Sequence, residues 1–292
     1  MRMLSLHADE KQSRHSRLRG SVCAFAFLGW ILTGTCGLIT GSFAAAETTH
    51  SVRVALFADS VCTDAKSREA AYKVLKAADG VQVDKVSTQT ICDGSLAARY
   101  DVLILPGGTG SGEAKAIGID GGKIVTDFVK NGKGVIAICA GGYYVAEGGG
   151  TYTGTVDLIN ARNHDGDHWA RGEGYIAVEV LGGKDGDSSR TMWFENGPIF
   201  VPGEMKDAPA YTPLVRYVSD FAAAGAPKGQ MQGRDAVLAA NYGEGRVVAF
   251  GPHPELSPNL NHWLVNAVRW AAEKGAAKPT VEAVLEGKKS GI

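Results

Sequence analysis

GKGVIAICAGGYYVA, residues 132–146, carries an apolar, strand-like run from Gly134 to Ile138 that ends at Cys139 and is followed at once by Ala140, Gly141 and Gly142. A strand that turns abruptly into a helix needs small neighbours, and this spacing leaves the Cβ of Cys139 pointing into open space over the sheet edge. The helix N-terminus that follows favours a thiolate, because free backbone N–H groups and the macrodipole both stabilise negative charge there. Two readings stand for this segment alone: a presented nucleophile, or a buried structural cysteine, the commoner fate of a lone Cys in an apolar strand.

A second apolar run lies more than a hundred residues downstream, in RVVAFGPHPE (residues 246–255), and delivers His253 and Glu255 into a Pro-rich turn. Side chains two apart in an extended segment project to the same side, so Glu255 is placed to hold one ring nitrogen of His253 while the other faces a thiol. His-Pro-Glu alone reads equally as a surface turn. With the cysteine elbow in the same chain it reads as a Cys-His-Glu triad.

Around these two segments, strands and helices alternate. Residues 52–58 read as a first buried strand, 65–78 as a helix, 81–87 as a second strand and 100–105 as a third that runs into Pro-Gly-Gly. Residues 123–130 read as the helix before the elbow strand 134–138. Such alternation predicts an α/β fold with a mostly parallel sheet flanked by helices, in which ligands sit beyond the carboxyl ends of the strands. Gly107, Gly108 and Cys139 would all lie there. The N–H groups of Gly107 and Gly108 are then candidate donors to a tetrahedral oxyanion, with Ala140 as the second arm.

The C-terminal half changes character. Residues 156–181 and 191–201 read as β-rich segments separated by a polar turn, followed by a hairpin across residues 241–245, which predicts an antiparallel β extension. The run from Asn163 to His168 packs two imidazoles and two carboxylates into six residues. We read it as a loop at the rim of the Cys139 pocket and not as a metal site, because ligands this close in sequence converge only in a tight loop. Tyr143 as pocket wall, with Trp169 and Arg171, are the expected substrate contacts.

The elbow AICAGGYY, the loop LPGGTGSG and the terminal GPHPE resemble the class I glutamine amidotransferase-like superfamily, in the branch similar to the N-terminal domain of biotin-protein ligases. DHWARGEG (residues 167–174) and WFENGPIF (residues 193–200) resemble the pattern of secreted bacterial stand-alone members of that branch. The resemblance spans residues 52–272 and implies a flavodoxin-like fold with no ligase domain, no cofactor and no metal. It departs at Ala137, where the elbow pattern G-x-C-x-G often has glycine; alanine is small enough for the turn. What it implies about activity is a thiol hydrolase-like site acting on an amide-type bond in a small-molecule or peptide-like substrate, without naming that substrate. The other reading is a catalytically inert envelope module that binds a ligand in the same pocket.

Residues 1–46 place a polar stretch with Arg2, Lys11, Arg14, Arg17 and Arg19 before an apolar run, residues 22–43, that ends in Ala44-Ala45-Ala46. This is a signal-peptide pattern with small residues before a cut after Ala46, and it predicts a periplasmic or secreted protein with no stable membrane contact. The run nearly suffices to span a bilayer, so the alternative is an uncleaved membrane anchor. Thr35 before Cys36 argues against a lipoprotein.

A domain over residues 47–275 and a tail over 276–292 are then expected, with 45% of the whole chain hydrophobic and 21% charged. The formal charge of −1 falls to −4 after cleavage, because residues 1–46 hold five basic and two acidic side chains; this argues against nucleic acid as a partner. Three cysteines lie beyond residue 46. In an oxidising compartment the spacing predicts a Cys62–Cys92 disulfide with Cys139 free, the competing reading being a bridge from either one to Cys139.

Overall fold

The runs VLIL and GVIAI carry no charged residue and are buried at every position, as strands covered on both faces must be. The computed structural model describes residues 51–147, 154–164, 172–182, 188–206 and 208–288 of the 292-residue chain. Its first half runs β1 (Val52–Phe57), α1 (Ala65–Lys76), β2 (Val81–Val86), α2 (Thr88–Cys92), α3 (Leu96–Arg99), β3 (Val102–Leu105), α4 (Gly110–Lys130), β4 (Gly134–Ile138) and α5 (Ala140–Val145). Strands dominate the second half: β5 (Ala146–Glu147), β6 (Ile159–Asn163), β7 (Glu173–Val180), β8 (Ser189–Glu195), β9 (Phe200–Pro202), β10 (Thr212–Tyr217), β11 (Asp235–Tyr242) and β12 (Gly245–Phe250). Helices α6 (Asn261–Ala272) and α7 (Val281–Val284) follow.

The sheet order is β2-β1-β3-β4-β12-β11-β10-β7-β8. The first five strands are parallel and the remainder of that path is antiparallel, so the structure is the α/β fold with an antiparallel extension that the sequence predicts. Residues alternate between two cores. Val54 and Leu56 face α1 and α6, with Leu75, Trp263, Leu264 and Val268. Ala55 and Phe57 face α4 and α5, with Ile117, Phe128 and Tyr144.

This order positions the site. Strand β4 lies between β3 and β12, with Leu105 paired to Ala137 on one side and Phe250 paired to Ile138 on the other. The three segments that leave the carboxyl ends of these strands therefore emerge side by side: Pro106-Gly107-Gly108, Cys139, and Gly251 to Glu255. The Cys139 N–H extends the ladder by one bond, to the Phe250 carbonyl at 2.8 Å.

Some elements differ from expectation. The helix read at 123–130 is the second part of α4, which begins at Gly110 and bends at Gly118, where φ is 69°. The stretch before the bend reads as loop in sequence, and the non-helical backbone at Gly118 divides α4 into two helical stretches, the second of which holds residues 123–130. Strand β10 has no counterpart in the sequence reading; its pairing with β11 shifts register between Pro213 and Val215, as a bulge does.

Candidate functional site

Cys139 sits between β4 and α5 with φ 50° and ψ −103°, a backbone conformation that a side chain bearing a Cβ adopts only at a cost of about 1–3 kcal/mol. The turn is this sharp because α5 packs directly on β3. A Cβ on Gly141 would lie 2.4 Å from the Leu105 carbonyl oxygen, so glycine alone fits there. The strain is what aims the cysteine away from the sheet.

His253 arrives from the end of β12 and is held on three sides. Its N–H donates to the Trp193 carbonyl at 2.7 Å, and its own carbonyl accepts from Ser257 Oγ. Ring nitrogen Nδ1 meets Glu255 Oε1 at 2.7 Å, while Nε2 is buried with no hydrogen-bond partner. The structure thus brings Cys139, His253 and Glu255 together. Burial works against an imidazolium, but the Glu255 carboxylate and then Cys139 outweigh it, so the His253 pKa lies well above its ordinary value. The Cys139 sulfur donates to the Glu195 carbonyl at 3.3 Å.

These groups line a cavity of about 450 Å³, with Cys139, His253, Gly108, Tyr143, Asn196 and Cys62 in its walls. Of the proposed oxyanion donors, Gly107 is corrected: its N–H is already committed to Ser67 Oγ at 2.8 Å. The N–H groups of Gly108 and Ala140 have no partner among the described residues, so those two remain the available donors. Tyr143 stands in the cavity wall with its hydroxyl donating to the Asn196 carbonyl at 3.1 Å. Trp169 and Arg171 lie outside the described residues, as do Asp165, Asp167, His168 and the N-terminal 46 residues. His164 Nε2 meets Gln230 Oε1 at 2.9 Å.

The predicted Cys62–Cys92 bridge is not formed; all three described cysteines are free. The Cys62 sulfur faces the Asp59 carbonyl and packs near Gly112, whereas Cys92 faces the Ile117 carbonyl and packs near Gly121. Those two glycines lie on opposite sides of the bend at Gly118, so the two sulfurs meet α4 at separate places. Burial, then the carboxyls of Glu113 and Asp59, push the Cys62 thiol up to about 12.

Sequence reasoning missed four contributors. The end of β8 and the turn after it supply the Glu195 carbonyl and Asn196, which takes φ 48° and exchanges hydrogen bonds with Gly172. Lys66 bonds the Glu195 carboxylate at 3.2 Å and lies over the Trp193 ring at 4.2 Å. Ser67 is buried among the triad's neighbours. The segment WFENGPIF was singled out by resemblance only; nothing in its composition marks a carbonyl as a thiol acceptor.

Glu113, in the first turns of α4, is the fourth. It is fully buried, and neither carboxyl oxygen has a hydrogen-bond partner. Burial, then Cys139, raise its pKa well above the ordinary carboxylate value. A carboxyl whose pKa is raised by folding contributes stability that is complete below its unfolded value and is lost as pH rises towards the folded one. Glu113→Gln, which stays neutral, should therefore raise the unfolding midpoint more at pH 7.5 than at pH 4. Equal shifts at both pH values, measured by thermal melts, would contradict a neutral buried Glu113.

Residues 41–155 match the family described as biotin-protein ligase, N terminal, which supports a biotin-protein ligase N-terminal-like domain over that stretch. No curated protein matches the chain in sequence. Among solved structures, a protein described as thua-like from Bacteroides uniformis is 14% identical and aligns over 77% of this chain and 96% of its own, with a TM-score of 0.52. A cytoplasmic protein from Salmonella typhimurium is 13% identical over 77% of this chain and all of its own, with a TM-score of 0.46. A β-galactosidase from Bacillus circulans is 13% identical over 73% of this chain, with a TM-score of 0.45, and the chain spans 30% of its length. At 14% identity the likeness to the thua-like protein concerns the fold alone.

Proposed function

We propose that the chain is an exported, amidotransferase-like thiol hydrolase whose Cys139 attacks an amide-type carbonyl. One observation carries the reading: Cys139 is held in a strained elbow beside a buried His253 whose Nδ1 is fixed by Glu255 and whose Nε2 has no partner. A structural cysteine needs neither the strain nor an oriented imidazole.

In the proposed sequence the Cys139 thiol gives its proton to His253 Nε2, the resulting thiolate adds to the carbonyl carbon and the carbonyl π pair moves to oxygen, where the N–H groups of Gly108 and Ala140 receive it. The C–N bond then breaks, its electron pair leaves with nitrogen, and the His253 imidazolium gives that nitrogen a proton. Water replaces the amine, yields one proton to His253 and attacks the thioester, releasing a carboxylic acid and the thiolate. Glu255 holds the imidazole throughout. Export rests on the signal-like residues 1–46.

The inert-module reading has one observation in its favour: the Cys139 sulfur hydrogen-bonds the Glu195 carbonyl instead of His253 Nε2. Mixing the protein with p-nitrophenyl acetate and weighing the Cys139 peptide separates the two. The hydrolase reading expects an acetyl adduct that water discharges within the time course. No adduct, or one that persists, favours the binding module.

A further inference from the structure

We propose that Ser67 is a positioning residue that ties the acid arm of the site to its oxyanion loop; the inference rests on reading Cys139 as a nucleophile. Ser67 lies in the first turn of α1 and is fully buried. A hydroxyl in that place commonly bonds back to its own helix. This one bonds outward twice, to Glu255 Oε1 at 2.7 Å and to the Gly107 N–H at 2.8 Å.

The direction of both bonds follows from proton count. The Gly107 N–H is a donor only, so Ser67 Oγ accepts there and its single proton goes to Glu255. Glu255 Oε1 thus takes the Ser67 proton on one side and faces His253 Nδ1 on the other, while Oε2 has no partner. A carboxylate held by two donors at one oxygen is fixed in place, and with it the ring that presents Nε2 to the cavity.

The other bond pins the loop. With its Gly107 N–H occupied, the Pro-Gly-Gly turn keeps the Gly108 N–H as its unpartnered donor. Backbone bonds from Asp64 N to the Gly107 carbonyl and from Thr109 N to the Cys62 carbonyl fasten the same loop to the start of α1. Packing is equally close: a Cβ on Gly107 would lie 2.7 Å from His253 Cε1 and 3.0 Å from Ser67 Oγ. Serine, loop and imidazole therefore pack as one contiguous unit.

A double-mutant cycle on the full chain tests this, with Ser67→Ala, Glu255→Gln and the pair, each verified as folded by its melting curve. The readout is the iodoacetamide labelling rate of Cys139 at pH 7. Ser67→Ala should slow labelling about ten- to a hundredfold, the range of a hydrogen bond to a charged group, and should add nothing on the Glu255→Gln background. Wild-type rates in a folded Ser67→Ala protein, or effects that simply multiply, would overturn the proposal. If wild-type Cys139 labels no faster than His253→Ala, the nucleophile reading is what fails. In that event the imidazole ¹⁵N signals of His253 decide: displaced in Ser67→Ala they uphold the positioning role, unchanged they refute it.

Discussion

Cys139→Ala is expected to abolish acyl-adduct formation and amide turnover while leaving the fold intact. The sulfur is the only group at the elbow that forms a bond to substrate in the proposed sequence, so no residual route passes through His253 or Gly108. Structurally the loss is small. Alanine keeps the Cβ and so keeps the φ 50° conformation at the same cost, and the atom removed is one sulfur on the cavity wall. The change in stability should stay within about 1–2 kcal/mol, within the ordinary range for single substitutions. Far-ultraviolet circular dichroism and a melting curve read the fold; mass spectrometry of the 132–146 region reads the chemistry. A folded alanine variant that still turned over the substrate would move the reaction away from the elbow.

His253→Ala should have the second largest effect, and it acts on both halves of the reaction. Removing the imidazole takes away the acid that protonates the leaving nitrogen and the base that activates water; general acid–base groups are typically worth about 10²–10⁴ in rate. It also leaves the Glu255 carboxyl buried without its ring partner, so some loss of stability accompanies the loss of rate. The pH dependence has a defined sign. Because the folded His253 pKa is raised, the His253–Glu255 pair stabilises the native state fully below the ordinary histidine value, and that contribution is lost as pH rises through the raised one. Wild type should therefore lose more stability than His253→Ala between neutral and alkaline pH. Parallel stability curves over that range would contradict the charged pair.

The parts of the site that were legible in sequence are those encoded locally. An all-apolar pentapeptide before Cys139 and small residues after it specify a strand, an elbow and a helix within a dozen positions. The same holds for the apolar run before His253 and for the two-residue spacing to Glu255. Their adjacency followed from the alternation of strands and helices, because parallel strands place their carboxyl ends on one edge.

What was not legible depends on contacts between distant segments. Ser67 is one hydroxyl in an ordinary helix start, and its partner is 188 positions away. The Gly107 N–H looked free because the sequence does not show the serine that occupies it. Glu113 follows the Gly-rich loop with nothing in the sequence to mark it, and only packing reveals it buried without partners. Cys62 and Cys92 failed as a pair for the same reason: both meet α4, but at separate turns. The helical stretch of α4 before the bend is not legible because its glycines read as breakers, and Gly118, at φ 69°, does interrupt the helix.

The central claim is that Cys139 is an activated nucleophile served by His253. Its most direct test is the rate of iodoacetamide labelling of Cys139 from pH 5.5 to 8.5, in wild type and in His253→Ala, with adducts located by peptide mapping. Cys62, pushed up to about 12, stays a thiol over this range and serves as an internal control. The account predicts rapid labelling of wild-type Cys139 already below neutral pH, lost in His253→Ala. Slow labelling that rises with pH equally in both proteins would contradict it.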